Sequence, residues 1–159
     1  MNLLITIVAA GVLGTLVMDA LNYLFARTGL ILKIDVRLIG RMTVGWVKGR
    51  FRYAGPDQME PSPHERSIGL AAHYGIGLAL AAIYCIGWNL LAGEPISALG
   101  AVVYGFATTA ISEFFVYPSM GLGVCGCRSP ERMRAAISPL ANHLFFGIGM
   151  ACGVALTSS

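Results

Sequence analysis

Charge is scarce in this chain. Of its 159 residues only 12% are Asp, Glu, Lys or Arg, while 56% are hydrophobic. A soluble domain needs roughly a quarter charged residues to cover its surface. A water-exposed globule is therefore excluded, and the composition places the chain among membrane proteins. Apolar–polar alternation is missing too. The apolar runs are long and continuous, which argues against a sheet-rich fold. Basic residues are absent from both chain ends and from the short turn at 92–95. No Gly-x-x-x-x-Gly-Lys loop is present and no Gly-x-Gly-x-x-Gly stands between a strand and a helix, nor is Gly-x-Ser-x-Gly or His-Glu-x-x-His present. Without those motifs nothing in the sequence names a reaction.

Four apolar stretches are present, at about 3–26, 68–91, 96–118 and 135–156. Each has the roughly 20 residues that a membrane-spanning helix requires. The first has no basic residues ahead of it and no small-x-small cleavage site after a short apolar core, so a retained helix is expected and not a signal peptide. Pro139 is placed in the first turn of the fourth, where its missing N–H costs little. All eleven Lys and Arg lie in two segments, eight between positions 27 and 66 and three at Arg128, Arg132 and Arg134. The positive-inside rule puts these loops, 27–67 and 119–134, in the cytoplasm. The expectation is a single all-α domain, 1–159, an integral membrane four-helix bundle of the bacterial inner membrane with both termini on the non-cytoplasmic side. The net charge of +3 suits contact with anionic lipid and does not call for nucleic acid.

The first loop contains "IDVRLIGRMTVGWVKGRF", in which Val36, Ile39, Met42 and Trp46 can share one helical face. It reads either as an interfacial helix with Trp46 at headgroup depth or as an ordered basic connector, and Gly40, Gly45 and Gly49 weaken the helix. Small residues recur four apart at Ala71 and Gly75, Ala101 and Gly105, and Gly149 and Gly153. Such pairs let backbones approach in lipid, inside one bundle or across a homo-oligomer or partner-subunit face. Cys85 and Cys152 read as small apolar fillers. Cys125 and Cys127 form "CGC" in the second loop. In a reducing cytoplasm they are not a structural disulfide, and two thiols alone are a weak metal signal.

Each expected helix carries one strongly polar residue: Asp19, His73, Glu113 and His143. Ionisable groups at membrane depth are costly and usually face a bundle interior or a cavity. Counted from the loop ends, all four lie roughly 6–12 Å deep at 1.5 Å per residue, in one layer. Small or polar residues flank each at four-residue spacing, as in Gly11, Thr15, Asp19 and Tyr23. Asn22 and Asn142 lie close by. Two carboxylates and two imidazoles match a divalent-metal ligand set of zinc or iron type, and two histidines could also hold a haem. The same four could instead pair with one another as structural glue, or line a proton or ion path.

The runs "GVLGTLVMDALNYL", "LIGR", "KGRFRY", "PHERSIGLAAHYGIGLALA", "YPSMGLG" and "ANHLFFGIGM" occur in that order. Together they resemble the bacterial inner-membrane family known as domain of unknown function 2938, over nearly the whole chain. The resemblance implies a small four-helix membrane protein of Gram-negative bacteria and brings no activity. Its pattern is similar at Asp19, Arg41, Arg50, His64, Glu65, His73, Met120, Gly121 and His143, and does not include the "CGC". Three functional classes stand as expectations: a protein binding a metal or small cofactor, an accessory subunit of a membrane complex, or a small transporter or proton conductor. A loop-side enzyme site near His64 and Glu65 has no specific support.

Overall fold

A computed structural model describes residues 2–92 and 94–157. Among them the secondary structure is helical, with no strand. Four helices are long and apolar enough to cross a membrane: α1 (Leu3–Ala26), α3 (Glu65–Leu91), α4 (Ala98–Ser119) and α5 (Arg132–Thr157). A shorter helix, α2 (Val36–Val47), lies in the first loop. Asn2 caps α1 by accepting from Leu4 N and Ile5 N, Asp35 caps α2 through Arg37 N, and Ser97 caps α4 through Gly100 N. Each side-chain oxygen satisfies a backbone donor that helix geometry leaves open.

The spans pack antiparallel, with α1 between α3 and α5, and α5 between α1 and α4. Lipid offers little hydrophobic drive for helices to associate, so close backbone contact must supply it. Glycines permit that contact. A Cβ at Gly153 would fall 2.6 Å from Ala10 Cα, and one at Gly149 2.7 Å from Gly14 Cα. One at Gly105 would meet Gly147 Cα at 2.4 Å, and one at Gly11 would meet Leu78 Cα at 2.8 Å. The core away from the loops fills these seams with Ala10, Leu80, Ala81, Tyr84, Cys85, Phe146 and Met150. Leu4, Ile83, Leu99, Val103 and Phe114 point outward, as lipid-facing residues would. Of the small-residue pairs, Ala101 with Gly105 and Gly149 with Gly153 pack inside the bundle, whereas Ala71 and Gly75 are exposed.

Both basic loops meet at one end of the bundle and fold into a cap. Asn22 donates to Leu32 O and accepts from Ile34 N, both at 3.0 Å, and Leu32 N donates to Ser138 Oγ at 2.7 Å. Trp46 Nε1 donates to Ser119 Oγ, which donates to Phe51 O, each at 2.8 Å. Met42, Met59 and Met120 are buried together beneath α2. Gly40 and Gly45 do not break α2. They let it lie flush, since a Cβ at Gly40 would fall 1.9 Å from Glu65 O and one at Gly45 1.8 Å from the Tyr53 hydroxyl. Gly121, at φ +82, presses on the backbone of Ala54 and Gly55, where no other residue fits without strain.

Two expectations need correction. Pro139 is not in the first turn of its helix, because α5 begins at Arg132 and Pro139 lies inside it. The extra turn is held from outside: Arg134 NH2 donates to Ile31 O at 3.1 Å and Ala135 packs on Gly126. Cys152 is exposed and fills no core, unlike the fully buried Cys85.

Gly153→Leu or Gly147→Leu should cost about 1–3 kcal/mol or more through overpacking, whereas Gly75→Leu should stay within about 0.5 kcal/mol. Thermal unfolding of the three variants in one mild detergent would check this, and equal midpoints would refute the seam assignment.

Candidate functional site

Asp19 sits on α1, two turns before the helix ends, and His73 and Tyr74 sit on the facing part of α3. The close approach at Gly11 and Gly77 brings the two helices into side-chain reach. His73 Nε2 donates to Asp19 Oδ1 at 2.9 Å, and the Tyr74 hydroxyl donates to Asp19 Oδ2 at 3.2 Å. Both carboxylate oxygens are thereby engaged. A carboxylate can only accept, so the pairing fixes the Nε2–H tautomer of His73. The His73 side chain is 10% exposed but that of Asp19 is 34% exposed. The pair is thus a shielded imidazole behind a carboxylate that reaches an open space.

That space is a cleft of about 650 Å³ at the loop end. Asp19, Asn22 and Tyr23 of α1 form one wall, and Arg66 of α3 contributes at the start of its helix. The segment from Lys33 through Asp35 to Arg37 forms the rest. Asp35 is occupied as the α2 cap, accepting from Arg37 N at 2.9 Å. None of Lys33, Arg37 and Arg66 belongs to a salt bridge among the described residues. The acids of the cleft are engaged and its three bases are not ion-paired there, so its free electrostatic character is positive.

A family model described as "Protein of unknown function (DUF2938)" matches residues 8–157. The chain belongs to this family. No curated protein and no solved structure matches it. Membership in DUF2938 therefore supplies a fold-wide identity and no activity, and the chemistry has to be read from the side chains.

The four residues expected in one layer separate into three places. Asp19 and His73 meet. His143, on α5, turns to α4: its Nδ1 lies 2.7 Å from Thr108 Oγ1 and its Nε2 2.9 Å from Ser112 Oγ. Thr108 gives its hydroxyl proton to Gly105 O, so His143 Nδ1 donates to Thr108 and Nε2 accepts from Ser112. Glu113 is 6% exposed, in a π-helical stretch at Ser112–Val116, and the Cys125 thiol is its neighbour. Among the described residues no group of three or more His, Cys, Asp and Glu side chains could hold a metal ion. The expected zinc- or iron-type ligand set of Asp19, His73, Glu113 and His143 is not assembled. A haem held between the two histidines meets the same obstacle. Both nitrogens of His143 and the Nε2 of His73 are committed to protein partners.

Asn22 and Asn142 do meet, Asn22 Nδ2 donating to Asn142 Oδ1 at 3.0 Å, but Asn22 spends its amide on the loop segment and on Asn142. Glu65 is equally committed. Arg41 grips it with Nε to Oε2 at 2.7 Å and NH2 to Oε1 at 3.2 Å, while Ser62 N donates to Oε2. The Glu65 carboxylate holds the Arg41 guanidinium above its ordinary pKa. His64, at φ 61, is the residue just before α3, so this corner of the chain is a structural clamp. Tyr74 and the basic wall of the cleft were not marked by the sequence. Tyr74 sits next to a histidine and looks like any interfacial aromatic, and the bases look like ordinary positive-inside residues.

Two outcomes are expected. Asp19→Ala should leave the His73 and Tyr74 donors without an acceptor, lowering stability by about 1–3 kcal/mol, with Asp19→Asn recovering part of the loss. Elemental analysis and an optical spectrum of the natively purified protein should show no stoichiometric metal and no Soret band. A stoichiometric metal lost in His143→Ala would overturn the side-chain assignment.

Proposed function

We propose that this protein is a small inner-membrane binding protein that takes a phosphate-bearing amphiphile from the cytoplasmic leaflet. The observation that carries this reading is the cleft itself. Three bases outside the salt bridges of the described residues, Lys33, Arg37 and Arg66, face one space whose inner wall is the Asp19 carboxylate held by His73 and Tyr74. Guanidinium and ammonium groups suit a phosphate, the first by bidentate hydrogen bonding and the second as a point charge. Asp19 lies deeper along α1, at a level where a ligand's hydroxyl or amine would find an acceptor.

The orientation belongs to the same reading. Eleven Lys and Arg lie in two segments, and these segments fold together at one end of the bundle. The positive-inside rule then puts that end in the cytoplasm and both termini on the other side. The cleft opens at the headgroup level of the cytoplasmic leaflet, where anionic lipid is at hand. The glycine seams filled by Phe146 and Met150 support a binding site open to one side over a path that crosses the membrane.

Native mass spectrometry of the detergent-solubilised protein with added phosphatidylglycerol tests the proposal. One lipid should be retained. Each of Arg37→Ala and Arg66→Ala should weaken retention by about 1 kcal/mol, roughly fivefold. Arg50→Ala and Arg52→Ala, outside the cleft, should change it little. Equal losses in both sets would mean diffuse charge attraction and would sink the assignment.

A further inference from the structure

Glu113 and the "CGC" turn form a second polar cluster that the cleft does not use. The carboxyl of Glu113 is 6% exposed, and its Oε2 is buried with no hydrogen-bond partner. The π-helical stretch at Ser112–Val116 sets it against the loop after α4, where Cys125 is its neighbour. π-Bulges recur at functional positions because the extra residue redirects a side chain. The loop itself is tightly built. Gly123, Cys125 and Gly126 all take positive φ, at 75, 52 and 67. A Cβ at Gly123 would fall 2.6 Å from Cys127 Sγ, so the glycine makes room for that thiol. Both Cys125 and Cys127 are free and exposed. Desolvation and then the Glu113 carboxylate push the Cys125 thiol above its ordinary pKa, so Cys125 needs a base to react.

We propose that Cys125 and Cys127 are a thiol–disulfide exchange site for low-molecular-weight disulfides, with Glu113 as the proton acceptor of Cys125. The Cys127 sulfur attacks one sulfur of the external disulfide. That S–S bond breaks, a mixed disulfide forms on Cys127, and the first small thiol leaves with the Cys127 proton. Cys125 then passes its proton to the Glu113 carboxylate and attacks Cys127 Sγ. The second small thiol is displaced and receives the proton from Glu113. The dithiol is oxidised by two electrons, and one external disulfide is reduced to two thiols. Residues two apart on a turn meet the α-carbon spacing of about 4.4–6.8 Å that a disulfide needs. So small a ring is strained, which favours exchange over a permanent bond.

The test treats the full-length protein in mild detergent with oxidised glutathione, then with iodoacetamide, and reads the peptides by mass spectrometry. The wild-type peptide should lose two hydrogens, retain no glutathione and resist alkylation at both positions. Cys125→Ser should stop with one glutathione on Cys127. Glu113→Gln should reach the same disulfide but accumulate the mixed species, its second step slowed at least about tenfold. The proposal fails if both thiols of the wild type remain fully alkylated, or if Cys125→Ser carries no glutathione. It fails also if the exposed Cys152 is modified as fast, or if Glu113→Gln resolves at the wild-type rate. Cys125→Ser decides the matter even if Glu113→Gln does not fold.

Discussion

Backbone contact at glycine is the constraint on which the rest of this structure depends. Lipid is as apolar as a leucine side chain, so the spans gain little by hiding apolar surface from it. They gain by touching. Gly14, Gly149 and Gly153 with Ala10 bring α1 and α5 together, Gly105 and Gly147 join α5 to α4, and Gly11 with Gly77 joins α1 to α3. Once the axes are this close, the rotation of each helix is set, and with it the direction of every polar side chain nearer the loops. Asp19 reaches His73 because the α1–α3 seam directs both residues to one crossing. His143 cannot join them, because the α4–α5 seam turns it towards Thr108 and Ser112.

The loops extend the same packing beyond the spans. The segment after α1 is tied back by Asn22, Ser138 and Arg134, and the segment before α3 is clamped by Arg41 on Glu65. Three methionines and the Trp46–Ser119 bond join both loops into one cap. A cleft with a folded wall is the result. Its bases are held in place by backbone that is itself hydrogen-bonded, which limits the ordering cost of seating a ligand.

The candidate cleft and the thiol turn use different parts of this arrangement. The cleft depends on where α1, α2 and α3 converge. The thiol turn depends on an irregular stretch of α4 and on a loop whose glycines adopt positive φ. Both lie near the loop end, where polar groups are cheaper to hold than at mid-membrane.

The sequence by itself determined the apolar spans, their number and the pooling of every base into two segments, because hydropathy and charge are sums over residues and need no geometry. It also marked Asp19, His73, Glu113 and His143 as unusual, since each is costly at its depth. Depth is only one coordinate of three. Which of the four would meet depended on helix rotation and neighbour order, and only tertiary packing decided those. Counting residues per turn could not reveal the π-helical stretch that redirects Glu113, since one extra residue rotates the remainder of the helix by about 100°. Nor could glycine content show that Gly40 and Gly45 are where α2 meets its neighbours and not where it breaks. A glycine's meaning lies in what stands opposite it, and that is a property of the folded chain.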